Sequence, residues 1–271
     1  MKRMRQISDT WTEEDIEFLN KLGIKVKVGL ERFNIDEDER YFEIEKHFEK
    51  RWSGRSLCNI LYHEYSKEDI ESAEYYILKG CHSCGYPQPE RDFKYESISF
   101  DYDRICQECD CGRVQIDNLR VNKLSKHGFW GYSAWLHDEF FVSEKVYNEV
   151  FAPYGIEKRP VIKGGKSVEG VFQLVIPVIG ESIDLSDRQP ETCPVCGETR
   201  YSVETNKYPF FPLHKNPLPG IYKTKEYFGS GHQSFRKIVL SKDVVDKLLK
   251  LKDLKAIWLI PCRRKDDNNK E

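Results

Sequence analysis

The chain has 271 residues, of which 32% are charged and 13% aromatic, and its formal net charge is only −2. That balance excludes a histone-like polycation and a disordered chain, and no stretch approaches the ~20 apolar residues a membrane span needs. What remains is a soluble globular protein of one or two domains with ample material for a core. The opening Met1-Lys2-Arg3-Met4-Arg5-Gln6 contains no apolar run suited to a signal peptide, so a cytoplasmic location is expected.

The N-terminal region, residues 1–80, reads as mixed α/β. Thr12 followed by Glu13, Glu14 and Asp15 predicts a capped helix start, and Gly23 its end. Ile24 to Val28 alternates as a half-buried strand should. Arg40 to Trp52 fits helix and strand equally well. Between Glu31 and Lys50 there are eight acidic and four basic residues, including the run Asp36-Glu37-Asp38-Glu39. Such a run forms a solvated loop or, with Glu43 and Glu45, an acidic face for a basic partner. Ser66-x-x-Asp69 predicts another helix cap, and Ala73 to Leu78 a strand.

Three Cys-x-x-Cys pairs dominate the remainder: Cys81/Cys84, Cys106/Cys109 and Cys193/Cys196. Two such turns supply the four soft ligands that structural Zn²⁺ binds at about 2.3 Å. Disulfides are disfavoured by an odd count of nine cysteines in a chain long enough to need no covalent staples. The first two pairs are separated by 21 residues, the spacing of a zinc ribbon over residues 81–116. Its strands are expected at Asp92–Phe100 and Val114–Ile116. Two partitions of ligands are open. Cys81, Cys84, Cys106 and Cys109 can share one ion, leaving Cys193 and Cys196 to build a second site with Cys111, Cys262 or a His. Alternatively, Cys193 and Cys196 join an upstream pair across 83 residues. The shorter loop closes more cheaply, which makes the first partition the expected one. Cys58 stands alone and reads as a buried core thiol.

From residue 117 to 262 the pattern is again α/β. Gly128 to Trp135 is an aromatic loop leading into a strand, and Lys163 to Ser167 is a hairpin turn. Segments 139–162 and 237–261 read alike: a short apolar strand, a Ser cap (Ser143, Ser241), a helix with apolar positions at i, i+1, i+4 and i+5, then another strand. An internal duplication follows from this reading. The fold expected is therefore mixed α/β (α+β) with an inserted zinc ribbon and a duplicated strand–helix–strand unit. Residues 263–271 read as a disordered tail.

Catalytic signatures fail on inspection. Gly164-Gly165-Lys166-Ser167 ends like a phosphate-binding loop, but Pro160 stands where that loop needs Gly. His63-Glu64 starts like a zinc-protease motif, yet Lys67 replaces its second His. A four-thiolate zinc leaves no open coordination position, so structure is favoured over catalysis and no enzyme is expected. The ribbon segment Cys81 to Gly112 carries seven acidic residues against three basic ones, which would repel a phosphate backbone. After Arg200 the chain is basic, sixteen Lys/Arg against eight Asp/Glu. Lys207, Lys215, Lys223, Lys225, Arg236 and Lys237 therefore offer the better nucleic-acid candidate.

Three stretches, Cys193-Pro-Val-Cys-Gly197, Gly220 to Gly231 and Lys237 to Val244, together with Glu139 to Val146 downstream of a Cys-x-x-Cys pair, resemble the double-CXXCG motif family. The resemblance covers about residues 106–262. It implies an immunity protein of a bacterial polymorphic toxin system, binding a cognate protein toxin such as a nuclease and occluding its active site. Its pattern favours the second ligand partition. The third cysteine pair, and Cys109-Asp-Cys111-Gly112 in place of Cys-Gly, depart from the family pattern. A nucleic-acid-associated zinc-ribbon protein is the alternative.

Overall fold

A computed structural model describes residues 1–53, 59–125, 127–132, 135–203, 209–251 and 257–264. Cys58, Lys207 and nearly all of the predicted tail lie outside the described residues. The architecture is mixed α/β, in two compact units: Met1–Ser72 with Glu204–Pro209, and Ala73–Val203 with Phe210–Glu271.

The first unit contains β1 (Lys2–Trp11), α1 (Glu13–Lys21), β2 (Gly29–Asp36), α2 (Glu39–Trp52), β3 (Asn59–Glu64) and α3 (Lys67–Ser72). Its sheet has the order β2-β1-β3, all antiparallel. The predicted Thr12 cap forms as a reciprocal box with Asp15, and Ser66 and Asp69 make the same exchange before α3. Helix α2 resolves the ambiguous segment: Tyr41, Ile44, Phe48 and Trp52 recur at helical spacing and are buried with Ile7, Trp11 and Leu19. The strand expected at Ile24–Val28 does not form. Ile24 is buried and Val26 packs against the core, but the segment's N–H groups go to neighbouring residues, that of Ile24 to the Leu19 carbonyl at the end of α1 and that of Lys27 to the Glu31 carboxylate.

The second unit begins with β4 (Tyr75–Gly80), which places the first boundary at Ser72 rather than at residue 80 because β4 pairs only with strands of this unit. Then follow β5 (His82–Ser83), α4 (Tyr95–Ser99), β6 (Phe129–Gly131), β7 (Phe140–Ser143), α5 (Glu144–Val146, continued by wider and tighter turns to Tyr154), β8 (Glu157–Lys163) and β9 (Lys166–Val175). After these come β10 (Pro190–Thr192), β11 (Thr199–Tyr201), β12 (Phe211–Pro212), β13 (Ile221–Ser230), β14 (Gln233–Ser241), α6 (Lys242–Lys250) and β15 (Trp258–Arg263). Two sheets result, β5-β6-β7-β9-β8 and β10-β11-β13-β14-β4-β15-β12.

The two segments that read alike fold alike. In each, an antiparallel hairpin (β6–β7, β13–β14) leads through a Ser into a helix and on to a strand parallel to the second hairpin arm. One antiparallel strand lies between arm and return strand: β9 in the first half, β4 in the second. Each Ser N–H donates to a left-handed glycine that opens the hairpin, Ser143 to the Gly128 carbonyl at 2.8 Å and Ser241 to the Gly220 carbonyl at 2.9 Å. The hairpin predicted at Lys163–Ser167 closes through Gly164 and Gly165, both at positive φ, as a two-residue turn matching strand twist requires.

Residues 81–116 do not form the expected ribbon. Asp92–Phe100 is mostly helical, with Tyr95 and Ser99 buried one turn apart while Phe93 is half exposed. Its return segment contributes one bridge, Phe100 to Gln115.

Candidate metal centre

The second and third cysteine pairs form the same backbone turn. In the first turn the Cys106 N–H donates to the Cys111 carbonyl (2.9 Å) and the Asp110 N–H to the Cys106 carbonyl (2.7 Å). In the second, Cys193 N–H donates to the Glu198 carbonyl (2.9 Å) and Gly197 N–H to the Cys193 carbonyl (3.0 Å). The fourth position after the leading cysteine must be left-handed: φ is 63° at Asp110 and 76° at Gly197. Asp is among the few non-glycine residues that tolerate this, which explains Cys-Asp where the motif elsewhere has Cys-Gly. Gly112 is needed for a different reason, since a Cβ there would collide with the Arg104 carbonyl.

These turns bring four thiols together. The Sγ atoms of Cys106, Cys109, Cys193 and Cys196 all lie within 4.8 Å of one another. Cys106 and Cys193 are 3.8 Å apart, and Cys109 and Cys196 are 3.5 Å apart. A tetrahedral ion with metal–sulfur bonds of about 2.3 Å has an edge of about 3.8 Å, so the donor set and its spacing fit such an ion. Cys109 and Cys193 are buried and Cys196 is exposed. Burial pushes the Cys109 and Cys196 thiols up, whereas the Cys196 backbone N–H, above all, holds Cys193 down to about 7. A bound cation would favour all four thiolates and tie the two turns into one cross-link.

Each turn is fastened to the β13–β14 hairpin. Ser234 donates its hydroxyl to the Cys109 carbonyl at 2.5 Å, and the Gly112 N–H reaches the Tyr227 hydroxyl at 3.4 Å. Arg113 donates to the Ser234 carbonyl (2.8 Å) and pairs with Asp110 (2.5 Å) and Asp138 (3.3 Å). Arg200 donates to the Gly231 carbonyl (2.6 Å) and pairs with Glu191 (2.8 Å). Both arginines stand four residues after the last cysteine of their turn. The repeated Cys-x-x-Cys-x-x-x-Arg spacing is the signal in the sequence that marks them, and motif reading by cysteines alone passes over it.

The Arg113 cluster extends through buried charges. Lys223 pairs with Glu139 (2.6 Å) and Asp138 (3.5 Å), joining β13 of the second half to the entry of β7 in the first. Burial raises the Asp138 carboxyl, but Lys223 and Arg113 outweigh it and the net shift is down. Asp110 is pushed up to about 7 by burial, against the pull of Arg113.

Cys81 and Cys84, expected from spacing to join Cys106 and Cys109, lie outside the four-thiol set. β5 pairs in parallel with β6, and the Cys84 N–H and thiol both reach the Gly131 carbonyl, at 2.9 and 3.2 Å. Burial pushes both thiols up, Cys84 to about 12. Loop closure does not decide the pairing, since closing 83 rather than 21 residues costs only about 1 kcal/mol more, less than sheet pairing and matched turns return. Among the described residues the four-thiol set is the one group with metal-ligand spacing.

The acidic run lies in the first unit and is largely paired there. Asp36 closes β2 and pairs with Lys2 at 3.4 Å, and the Glu37 carboxylate is 7% exposed between Arg3 and Arg5. Asp38 caps α2 and pairs with Arg40, whose hydrogen bond pulls its carboxyl down. Glu45 accepts from the Tyr41 hydroxyl at 2.5 Å, while Glu39 and Glu43 are exposed. Several basic candidates after Arg200 are also engaged internally: Lys223 as described, Arg236 over the Tyr227 ring, and Lys237 between Phe228 and Phe235. No described helix is long and apolar enough to cross a membrane. No family model and no curated protein matches the chain.

Proposed function

We propose that this chain is a non-enzymatic immunity protein that binds a cognate bacterial toxin and occludes its active site, with one structural Zn²⁺ held by Cys106, Cys109, Cys193 and Cys196. The four-thiol set carries the reading. All four donors come from the protein, which leaves no position for a substrate or a reactive water, and thiolates are the donors zinc favours in structural sites. The resemblance to the double-CXXCG motif family, whose two cysteine turns correspond to the two that meet here, supports the immunity role. Glu39 and Glu43, the exposed members of the acidic segment, are the residues placed to steer a basic toxin.

The test is affinity capture of the tagged chain from its host, with and without nuclease, followed by co-expression with the captured partner. A stoichiometric protein partner that survives nuclease, and whose toxicity the chain suppresses, supports the reading. Recovery of nucleic acid, with protein partners lost after nuclease, favours the nucleic-acid alternative instead.

A further inference from the structure

A cavity of about 590 Å³ opens beside the first cysteine turn, within the second unit. Its wall is aromatic: Phe93, Tyr95, Tyr102 and Trp135 line it. The Trp135 ring stacks parallel to Tyr95 at 5.8 Å and meets Phe93 at 4.8 Å and 51°. Three carboxylates share the lining, Asp92, Glu96 and Asp110, against one ammonium, Lys94, and the His232 ring. Asp110 is 9% exposed; one carboxylate oxygen is held by Arg113, and the other, Oδ1, has no hydrogen-bond partner among the described residues. All four non-glycine residues with positive φ among the described residues, Asp92, Phe93, Asp110 and Trp135, line this one cavity. The cysteine turn requires the conformation of Asp110. Those of Asp92, Phe93 and Trp135 are retained at a cost the surrounding structure must offset.

Aromatic faces carry negative quadrupole potential, and the half-buried Glu96 and buried Asp110 carboxylates add to it. The carboxylates do not converge as metal ligands do, since the cysteines alone form a set with metal-ligand spacing among the described residues. We propose that the cavity is a receptor for an organic cation, an alkylammonium or guanidinium group whose charge sits against the rings of Phe93 and Trp135 and is balanced by Glu96 and Asp110. The same chemistry is offered by a free quaternary ammonium compound and by a lysine or arginine side chain of a protein partner. The inference stands independently of which partner the chain protects against.

The experiment titrates the full, metal-loaded chain with choline and with N-acetylarginine methylamide, each beside its neutral isostere, 3,3-dimethylbutanol and N-acetylcitrulline methylamide. Binding is followed by two-dimensional NMR. At least one cation is expected to give saturable shifts at Phe93–Ser97 and the Trp135 indole, with about tenfold preference over its isostere. Choline as the tighter ligand identifies a free ammonium compound, and the blocked arginine a partner side chain; either supports the site. Phe93→Leu and Glu96→Gln should each weaken binding by about fivefold while leaving the rest of the spectrum in place, because Phe93 is half exposed. Equal binding of the neutral isosteres, shifts that map elsewhere, or no saturation up to about 50 mM would overturn the proposal.

Discussion

Asp110 and Gly197 hold equivalent places in the two cysteine turns: each is left-handed, and each donates its N–H to the carbonyl of the cysteine that opens its pair. The equivalence means that a four-thiol centre is built from two copies of one local structure, with Asp substituting for Gly in one copy and gaining an ion pair with Arg113.

This predicts the stoichiometry and ligands of the metal. The purified chain should carry one divalent ion, and cobalt substitution should give the visible spectrum of tetrahedral thiolate coordination. Cys109→Ser and Cys193→Ser should lose the ion, whereas Cys81→Ser and Cys84→Ser should retain it. Metal analysis of the four variants checks the assignment; loss of metal from the Cys81, Cys84 and Cys109 variants, with retention in the Cys193 variant, would restore the ribbon partition.

Chelation should act locally. Because a bound ion would cross-link two turns that are each hydrogen-bonded to the β13–β14 hairpin, removing it should accelerate amide hydrogen exchange across β10, β11 and the Ser230–Phe235 turn. Exchange in β1 and β2 should be unchanged. Unaltered exchange throughout the second unit would show that the centre contributes nothing to its stability.

Arg113 neutralises two buried carboxylates, Asp110 and Asp138. Arg113→Ala should therefore cost about 3–5 kcal/mol in denaturant unfolding, the range for breaking a buried ion cluster on one side. Glu191, the partner of Arg200, is mostly exposed. Glu191→Ala should then cost no more than about 1 kcal/mol.

The first unit should show an acid-sensitive step. Burial pushes the Asp15 carboxyl up, but the hydrogen bonds from Arg51 and Thr12 outweigh it, so its folded value lies below the ordinary 3.8. A depressed carboxylate contributes stability that is complete above its unfolded value and is lost as pH falls through the folded one. Asp15→Asn should lower stability near neutrality and flatten its decline below about pH 4, as read by hydrogen exchange of β1 amides across a pH series.

Much of this was legible in the sequence, for reasons that differ by element. Thr12/Asp15, Ser66/Asp69 and Gly164-Gly165 were readable because caps and tight turns are decided by neighbouring residues. The two strand–Ser–helix–strand units were readable because Val146, Val150 and Phe151, like Val244, Val245 and Leu248, keep helical spacing on one buried face. The pairing of the cysteines was not. It depends on β11 lying parallel to β13 and on Ser234 capturing Cys109 from 125 residues away, contacts that no local pattern encodes. Ile24–Val28 and Asp92–Phe100 misled because alternation of residue types secures neither a ladder nor a face: Ile24 and Lys27 give their N–H groups to neighbouring residues, and Phe93 and Tyr95, two apart, are half exposed and buried respectively.

The position of β4 has a consequence for how the protein is made. Tyr75–Gly80 leaves the ribosome long before its two neighbours, β14 and β15, which begin at Gln233 and Trp258. At about 5–20 residues per second, the wait for β14 is roughly 8–30 s. Throughout that interval the apolar run Tyr76-Ile77-Leu78 has no sheet to enter, although it is buried in the finished protein. The larger sheet is therefore completed only after synthesis has passed the second cysteine turn. A nascent chain stalled before Gln233 would expose a strand that chaperones bind and that other chains can pair with.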